Sequence, residues 1–149
     1  MNKNQKMTRT DLQMLDYHNK ESLRIKQVTE LVDQIYKSVV HTATNAHPHH
    51  FPNPHLLPAT KAPTMYRYEL TNSREHSQKF SNSFLEANMP EILEKVCDLF
   101  PDCDVSHKVL VGAKSGCAGD PVIYTELTPF TNPSGYGTWI SSFIIVDWS

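Results

Sequence analysis

The stretch PEILEKVCDLFPDCDVSHKVLV, residues 90–111, decides the fold because its hydrophobic period changes partway along it. Before Pro101 the apolar residues fall three and four positions apart, as they do on one face of an α-helix. These residues are Ile92, Leu93, Val96, Leu99 and Phe100. From Val105 to Val111 apolar and other residues largely alternate, as in a half-buried strand. The stretch therefore predicts a helix that ends at Phe100 and a strand that follows after a short turn.

The start of this helix is predicted near Asn88, with Pro90 in the first turn. Proline fits that position because the first N–H groups of a helix have no intrahelical partner. Ser83 followed by Glu86 predicts at most a separate short turn of helix before it.

A longer amphipathic helix is predicted upstream, over residues 11 to about 45. Its apolar stripe consists of Ile25, Val28, Val32, Ile35 and Val39, widened by Leu31, Tyr36 and Ala43. Thr8 with Asp11, or alternatively Asn19, would cap its start. The pattern fits one long helix or two helices joined near residues 17–20.

Three further strands complete the predicted elements. Tyr66, Tyr68 and Leu70 alternate with polar residues, and residues 122–127 and 138–148 form two more strand candidates. Within the last of these, Phe143-Ile-Ile-Val146 is apolar at every position, as in an interior strand covered on both faces. The element order is α-β-α-β-β-β. It predicts an α+β, two-layer fold with helices on one face of a mixed, mostly antiparallel four-stranded sheet.

Length and composition predict one domain in a reducing compartment. Residues 1–10 are interpreted as a flexible tail and residues 11–149 as a single domain. Three cysteines are too few for a disulfide framework. Neither a signal peptide nor an apolar run long enough to cross a bilayer is recognisable, so we expect a soluble protein that is not secreted.

The charge balance argues against a general nucleic-acid binder. The chain has 14 basic and 16 acidic residues and a formal net charge of −2. Binding to phosphates requires a surplus of Lys and Arg. The densest basic group, Lys3, Lys6 and Arg9, is interpreted as part of a solvated terminus rather than a phosphate-binding arm.

The segment from Ala46 to Pro63 is the most unusual in composition. It contains five prolines, which exclude regular helix and central strand, so an extended loop is predicted. Its histidines, His47, His49, His50 and His55, are candidate zinc ligands because neutral imidazole binds zinc well. Their spacing matches no closed zinc pattern. We favour a solvated loop without a dedicated metal, and keep a zinc-binding regulatory protein as the alternative.

The cysteines suggest little reactivity. Cys97 follows Val96 on the second helix and is interpreted as a packed side chain. Cys103 lies between two acidic residues, Asp102 and Asp104, and is interpreted as a poor nucleophile. Cys117 lies in a Gly-rich loop near Lys114. A Cys117 nucleophile with His107 as its base would make the protein a small thiol-dependent enzyme, which is a weaker alternative.

Two other motifs do not fit a site. The loop order Lys114-Ser115-Gly116 is not that of a phosphate-binding loop, and a strand rather than a helix follows it. The acidic residues Asp98, Asp102 and Asp104 cluster at the end of the second helix. Asp102 and Asp104 are interpreted as ordinary turn residues after Pro101 rather than as ligands of a cation.

Several short segments follow one another along the chain: Ile35-Tyr36, Ala43-Thr44, Tyr66-x-Tyr68-x-Leu70, Glu91-Ile92-Leu93, Leu99-Phe100-Pro101-Asp102-Cys103-x-Val105 and Ile144-Ile145-Val146-Asp147-Trp148-Ser149. In this order they resemble segments of a group of small uncharacterised α+β proteins encoded by nucleocytoplasmic large DNA viruses. The His-Pro loop and the Gly-rich loop around Cys117 depart from that pattern. The resemblance implies a viral origin and a virion or host-cytoplasm setting, and it carries no catalytic residues.

Together these features predict a non-enzymatic structural or protein-interaction protein, such as a virion component or a host-factor binder. A protein partner or self-association is expected, because a long amphipathic helix can bury its stripe against another chain.

Overall fold

The computed structural model describes residues 4, 6–44, 63–75, 78–114, 122–128 and 137–149. The elements in chain order are α1 (Arg9–Thr44), β1 (Met65–Asn72), α2 (Asn82–Leu99), β2 (Asp104–Ala113), β3 (Ile123–Glu126) and β4 (Thr138–Asp147). This order confirms the predicted α-β-α-β-β-β arrangement and the α+β class.

The four strands form one sheet in the order β1-β4-β2-β3. All three neighbouring pairs are antiparallel. The prediction of a mostly antiparallel sheet is therefore confirmed, whereas the prediction that the sheet is mixed is wrong. Strands β1 and β2, which are connected through α2, do run in the same direction. However, β4 lies between them and pairs with both, so no parallel ladder forms.

Strand β4 is the centre of the sheet, as the continuous apolar run predicted. Phe143, Ile144, Ile145 and Val146 are all buried. Alternate side chains of a strand point to opposite faces. Ile144 and Val146 therefore join the helices in the main core, whereas Phe143 and Ile145 form a smaller cluster with Leu110 on the other face.

We call the two sides of the sheet the helix face and the distal face. The main core on the helix face contains α1 and α2 side chains together with half-buried residues of β1 and β2, among them Tyr66, Tyr68 and Val105. In addition, the Tyr68 hydroxyl donates to Gln34 Oε1 of α1 at 2.9 Å. The predicted Tyr-bearing strand therefore lies directly under α1.

Helix α1 is one continuous helix, which decides between the two possibilities left by the sequence. It begins at Arg9, inside the segment assigned to the flexible tail. The predicted Thr8–Asp11 cap is confirmed: the Thr8 amide donates to the Asp11 carboxylate at 2.8 Å, and the Asp11 amide donates to Thr8 Oγ1 at 3.1 Å. These bonds satisfy backbone and side-chain groups at the end of the helix.

Helix α2 begins at Asn82, several residues before the predicted start near Asn88. Ser81 is the cap, and its side-chain oxygen accepts from the Phe84 amide at 3.2 Å. Pro90 therefore lies inside the helix rather than in its first turn. The exposed position of Pro90 allows water to solvate the carbonyl that loses its helical partner.

Candidate interaction surfaces

The N-terminal half of α1 extends beyond the core. Every residue from Arg9 to Lys20 is exposed, and Val28 is the first buried residue of the helix. At 1.5 Å per residue the fully exposed part is about 18 Å long. Residues 7–25, which we call the projecting segment, therefore extend past the body of the domain. Their outer part is exposed throughout, and Arg24 at the base contacts α2.

The projecting segment carries seven large apolar side chains. Their exposed fractions are 48% for Met7, 57% for Leu12, 51% for Met14, 47% for Leu15, 60% for Tyr17, 56% for Leu23 and 47% for Ile25. The prediction that Ile25 belongs to the covered stripe is wrong, because α1 has left the sheet at that point. Of the other predicted stripe residues, Tyr36 and Ala43 are also exposed. The remainder are buried, namely Val28, Leu31, Val32, Ile35 and Val39.

Six of these side chains belong to α1 and lie on two of its sides. Met14 and Tyr17 precede Val28 by about four and three helical turns, so they continue the line of the buried stripe. Leu12 and Leu23 are separated by about three turns and share the other side. A helix that is apolar on two sides is normally enclosed by protein.

A polar cluster marks the place where α1 leaves the domain. Arg24 donates to Glu21 of its own helix and to Asn88 and Glu91 of α2, at 3.0 Å for Asn88 Oδ1. Hydrogen bonds to Glu21 and then to Glu91 raise the pKa of Arg24 above its usual range. Asn88 is buried and also donates to the Phe84 carbonyl at 2.8 Å, which fixes its amide. The cluster therefore ties the base of the projecting segment to α2.

The outer edge of β2 is a second unpartnered surface. Strand β3 pairs with β2 from Leu110 to Ala113, and the register gives it no partner in β2 before Leu110. Among the described residues, no other strand pairs with the outer side of β2 from Asp104 to Val109, which we call the β2 edge. Unpaired strand edges present free N–H and C=O groups to another chain.

Charges on the β2 edge are poorly balanced within the molecule. Asp104 lies directly opposite Asp147 of β4, and like charges in that position repel. Hydrogen bonds from Ser149 lower the pKa of Asp147, which keeps its carboxylate ionised. Within the described part of the chain Asp104 has no ion pair, and Lys108 is paired with Glu126 at 3.9 Å between two largely exposed side chains.

The distal face of the sheet carries a small aromatic cluster. Tyr124 packs edge-on against Phe143, with 5.0 Å between ring centroids, and against Trp139 at 6.2 Å. The guanidinium of Arg74 lies 3.4 Å from the Trp139 ring centroid, within the range of a cation–π contact. Trp139 is consequently buried although no helix covers this face among the described residues.

A groove on the helix face contains His107. It is lined by Leu85, Glu86 and Met89 of α2 and by His107 and Val109 of β2. Burial lowers the pKa of His107 below its ordinary value. His107 still retains an exposed side, so the groove can admit water.

Few of the site residues predicted from the sequence fall within the described ranges. His47, His49, His50, His55 and Cys117 lie outside the described residues, so the zinc alternative and the Cys117–His107 pair stay predictions. The expectation that Cys97 is packed is wrong: it is exposed, because Val96 occupies the core-facing position of that turn. Cys103 is partly buried and packs against the main core.

The predicted acidic turn lies between α2 and β2. The Cys103 amide donates to the Phe100 carbonyl at 3.0 Å, which closes the turn through Asp102. Within the described ranges, no group of three or more His, Cys, Asp or Glu residues is arranged to hold a metal ion.

The projecting segment and the β2 edge were not identified as surfaces from the sequence. The apolar residues Leu12, Met14 and Leu15 were visible in the sequence, but they fall outside a single stripe, so they gave no one-sided pattern. The β2 edge depends on strand order and on the shortness of β3, which periodicity does not reveal.

In the described part of the chain, neither helix has an apolar stretch of the length needed to cross a membrane. A comparison with protein-family models finds no match to this chain, and comparisons with curated proteins and with solved structures find none either.

Proposed function

We propose that this chain is a non-enzymatic protein-interaction protein that inserts the projecting segment of α1 into an apolar groove of a partner protein. The observation that carries the proposal is the exposure of seven large apolar side chains in the projecting segment, six of them on two sides of one helix end. Recognition of a helix by a groove uses such apolar anchors at helical spacing.

The energetics favour a groove over a flat surface. Burying an apolar side chain of this size completely contributes about 1.5–3 kcal/mol, so covering the exposed half contributes about 1 kcal/mol. Seven such side chains would supply on the order of 7 kcal/mol in total, whereas association costs at least several kcal/mol. A flat surface covers one side of the helix and loses about half of this gain. A groove that encloses both sides retains it.

The setting that we propose is viral. The Phe100-Pro101-Asp102 and Asp147-Trp148-Ser149 segments resemble those of small proteins of nucleocytoplasmic large DNA viruses. We therefore propose that the protein is a virion component or a host-factor binder, and that it acts in the virion or the host cytoplasm.

The test compares two variants of the full chain in capture experiments from infected cells, together with proteomics of purified particles. The first variant, Leu12→Ser with Tyr17→Ser and Leu23→Ser, removes anchors from both sides of the helix. The control, Gln13→Ser with Lys20→Ser, changes polar positions of the same exposed segment. All three substituted positions of the first variant are exposed, so both proteins are expected to fold alike in circular dichroism.

We expect a partner that the wild type and the control capture and that the first variant loses by about tenfold or more. The purified partner should then bind the wild-type chain directly in calorimetry. A partner retained equally by the first variant would show that recognition occurs elsewhere. If the wild type captures no partner and the protein is also absent from purified particles, the proposal is refuted.

A further inference from the structure

We propose that the β2 edge pairs with the β2 edge of a second copy of this chain, antiparallel and centred on Ser106. The two sheets would then join into one across a twofold axis. This surface is separate from the projecting segment, so the inference goes beyond the function proposed above and stands or falls on its own experiment.

The shape of the edge restricts the possible registers. Antiparallel partners that lie directly opposite each other point to the same face of a sheet. If both copies keep their helices on the same side, residues of the helix face must oppose residues of the helix face. This condition leaves only registers in which one residue of the β2 edge lies opposite the same residue of the other copy. We call such a register centred on that residue. Successive registers shift the twofold axis along the strand by one residue.

Charge selects one of these registers. Asp104 and Lys108 are four residues apart and both lie on the distal face beside Asp147 and Ile145. Centring on Ser106 places Asp104 of each copy opposite Lys108 of the other. Centring on Asp104 or on Lys108 would instead place like charges opposite each other, which is unfavourable. The other registers oppose a charged residue to an uncharged one.

The Ser106 register also relieves a repulsion inside each copy. Asp104 faces Asp147 across the β2–β4 ladder, and the incoming Lys108 ammonium would lie next to this pair of carboxylates. The existing Lys108–Glu126 contact at 3.9 Å joins two largely exposed side chains, so moving Lys108 away from it costs little. On the helix face, Val105 of one copy would oppose His107 of the other.

The expected dimer is weak because the paired edge is short. Pairing from residue 104 to residue 108 would form about four to six main-chain hydrogen bonds and two cross-strand ion pairs. We expect a Kd of about 10–100 µM. A charged residue on an edge strand can also serve to prevent pairing, and the experiment separates these two roles of Lys108.

Sedimentation of the full chain over a concentration series tests the register through charge reversal. Asp104→Lys alone places lysines opposite each other, and Lys108→Asp alone places aspartates opposite each other. Each single variant should dimerise about tenfold or more weakly than the wild type. The double variant D104K/K108D restores opposite charges and should recover the dimer. Lys26→Asp, a charge reversal on the exposed side of α1, is the matched control.

Mixing the two single variants gives the sharpest result. A D104K chain presents two lysines and a K108D chain presents two aspartates, so the mixture should form a heterodimer although neither variant pairs with itself. A wild-type chain that stays monomeric at about 1 mM would overturn the proposal. So would a dimer that both single variants retain. A mixture that fails to associate while the wild type dimerises would refute the Ser106 register.

Discussion

Gly112 leaves the space that the Trp139 ring needs in the aromatic cluster on the distal face. It lies opposite Trp139 in the ladder between β2 and β4, and the indole ring crosses the space that a side chain would occupy. A Cβ built on Gly112 would lie 2.6 Å from Cζ2 and 2.7 Å from Nε1 of Trp139. Glycine is therefore required here by contact with a buried ring rather than by its backbone conformation.

Gly112→Ala is expected to lower the free energy of unfolding by about 1–3 kcal/mol, the usual cost of overpacking a core. Thr125→Ala, at an exposed position of the neighbouring β3 strand, is the control and should change it by less than about 0.5 kcal/mol. Urea denaturation followed by tryptophan fluorescence measures both. Equal stability of G112A and the wild type would mean that Trp139 can move aside without cost.

His107 should make stability depend on pH in mildly acidic solution. Its pKa is lowered by burial from the ordinary 6.5, so the unfolded chain binds its proton more readily than the folded chain does. The free energy of unfolding should therefore fall as the pH decreases through about 6.5 towards the lowered pKa, and this contribution should not change further below it. Glu86 lines the same groove and is the acidic group that would oppose this trend.

The measurement is urea denaturation at pH 7.5 and at pH 5.5 for the wild type and for His107→Gln. The loss of stability between the two pH values should be smaller in the variant. Asp11, Glu21 and Asp147 have lowered pKa values, so their contributions are lost only at more acidic pH and do not enter this window. An identical loss in both proteins would assign the pH dependence to other groups.

Individual residues were the least predictable from sequence. The position next to Val96 predicts a packed Cys97, yet successive helical residues are separated by about 100°, and of the two only Val96 points inward. Pro90 predicts a first turn, since that is the position that proline disturbs least. The Ser81 cap could have located the true helix start, but Ser83 with Glu86 competed with it as a signal.

At the scale of elements, α1 consists of a part that packs in the main core and a part that is exposed. Ile35 is 1% exposed and belongs to the main core, whereas Ile25 on the same helix is 47% exposed. Ten residues separate them along the helix. The same side chain therefore serves folding at one position and is available for binding at the other.

Ile35→Ala is expected to lower the free energy of unfolding by about 2–5 kcal/mol, because it leaves a cavity against the sheet. Ile25→Ala should lower it by less than about 1 kcal/mol. Denaturation curves of the two variants provide the comparison, since the chemical change is the same. A similar cost at both positions would mean that Ile25 is covered in solution, which would contradict the exposure of the projecting segment.

At the scale of the whole molecule, the sequence predicted the class and the order of elements well. The change of period at Pro101 and the apolar run from Phe143 to Val146 reflect burial that local sequence encodes directly. Strand order was not predictable, because β4 is the last strand in the chain and yet inserts between β1 and β2. The candidate surfaces depended on that order and on how far α1 extends past the sheet.

Removing residues 1–19 should leave the domain folded. No residue of α1 before Val28 is buried, so the deletion should change the free energy of unfolding by no more than about 1 kcal/mol. Circular dichroism should lose helical signal, while the tryptophan signal from the sheet should persist. A truncated chain that loses more than about 3 kcal/mol would show that the projecting segment contributes to folding.

The polar cluster at Arg24 has a mechanical consequence. It anchors the exposed end of α1 at its base, so that end behaves as a lever whose pivot lies against α2. The helix from Arg24 to Arg9 is about 22 Å long, and a tilt of only 10° at the pivot moves its tip by about 4 Å. Loosening the pivot, for instance through Asn88, would widen the arc that the tip explores and hence the volume in which it can meet a partner.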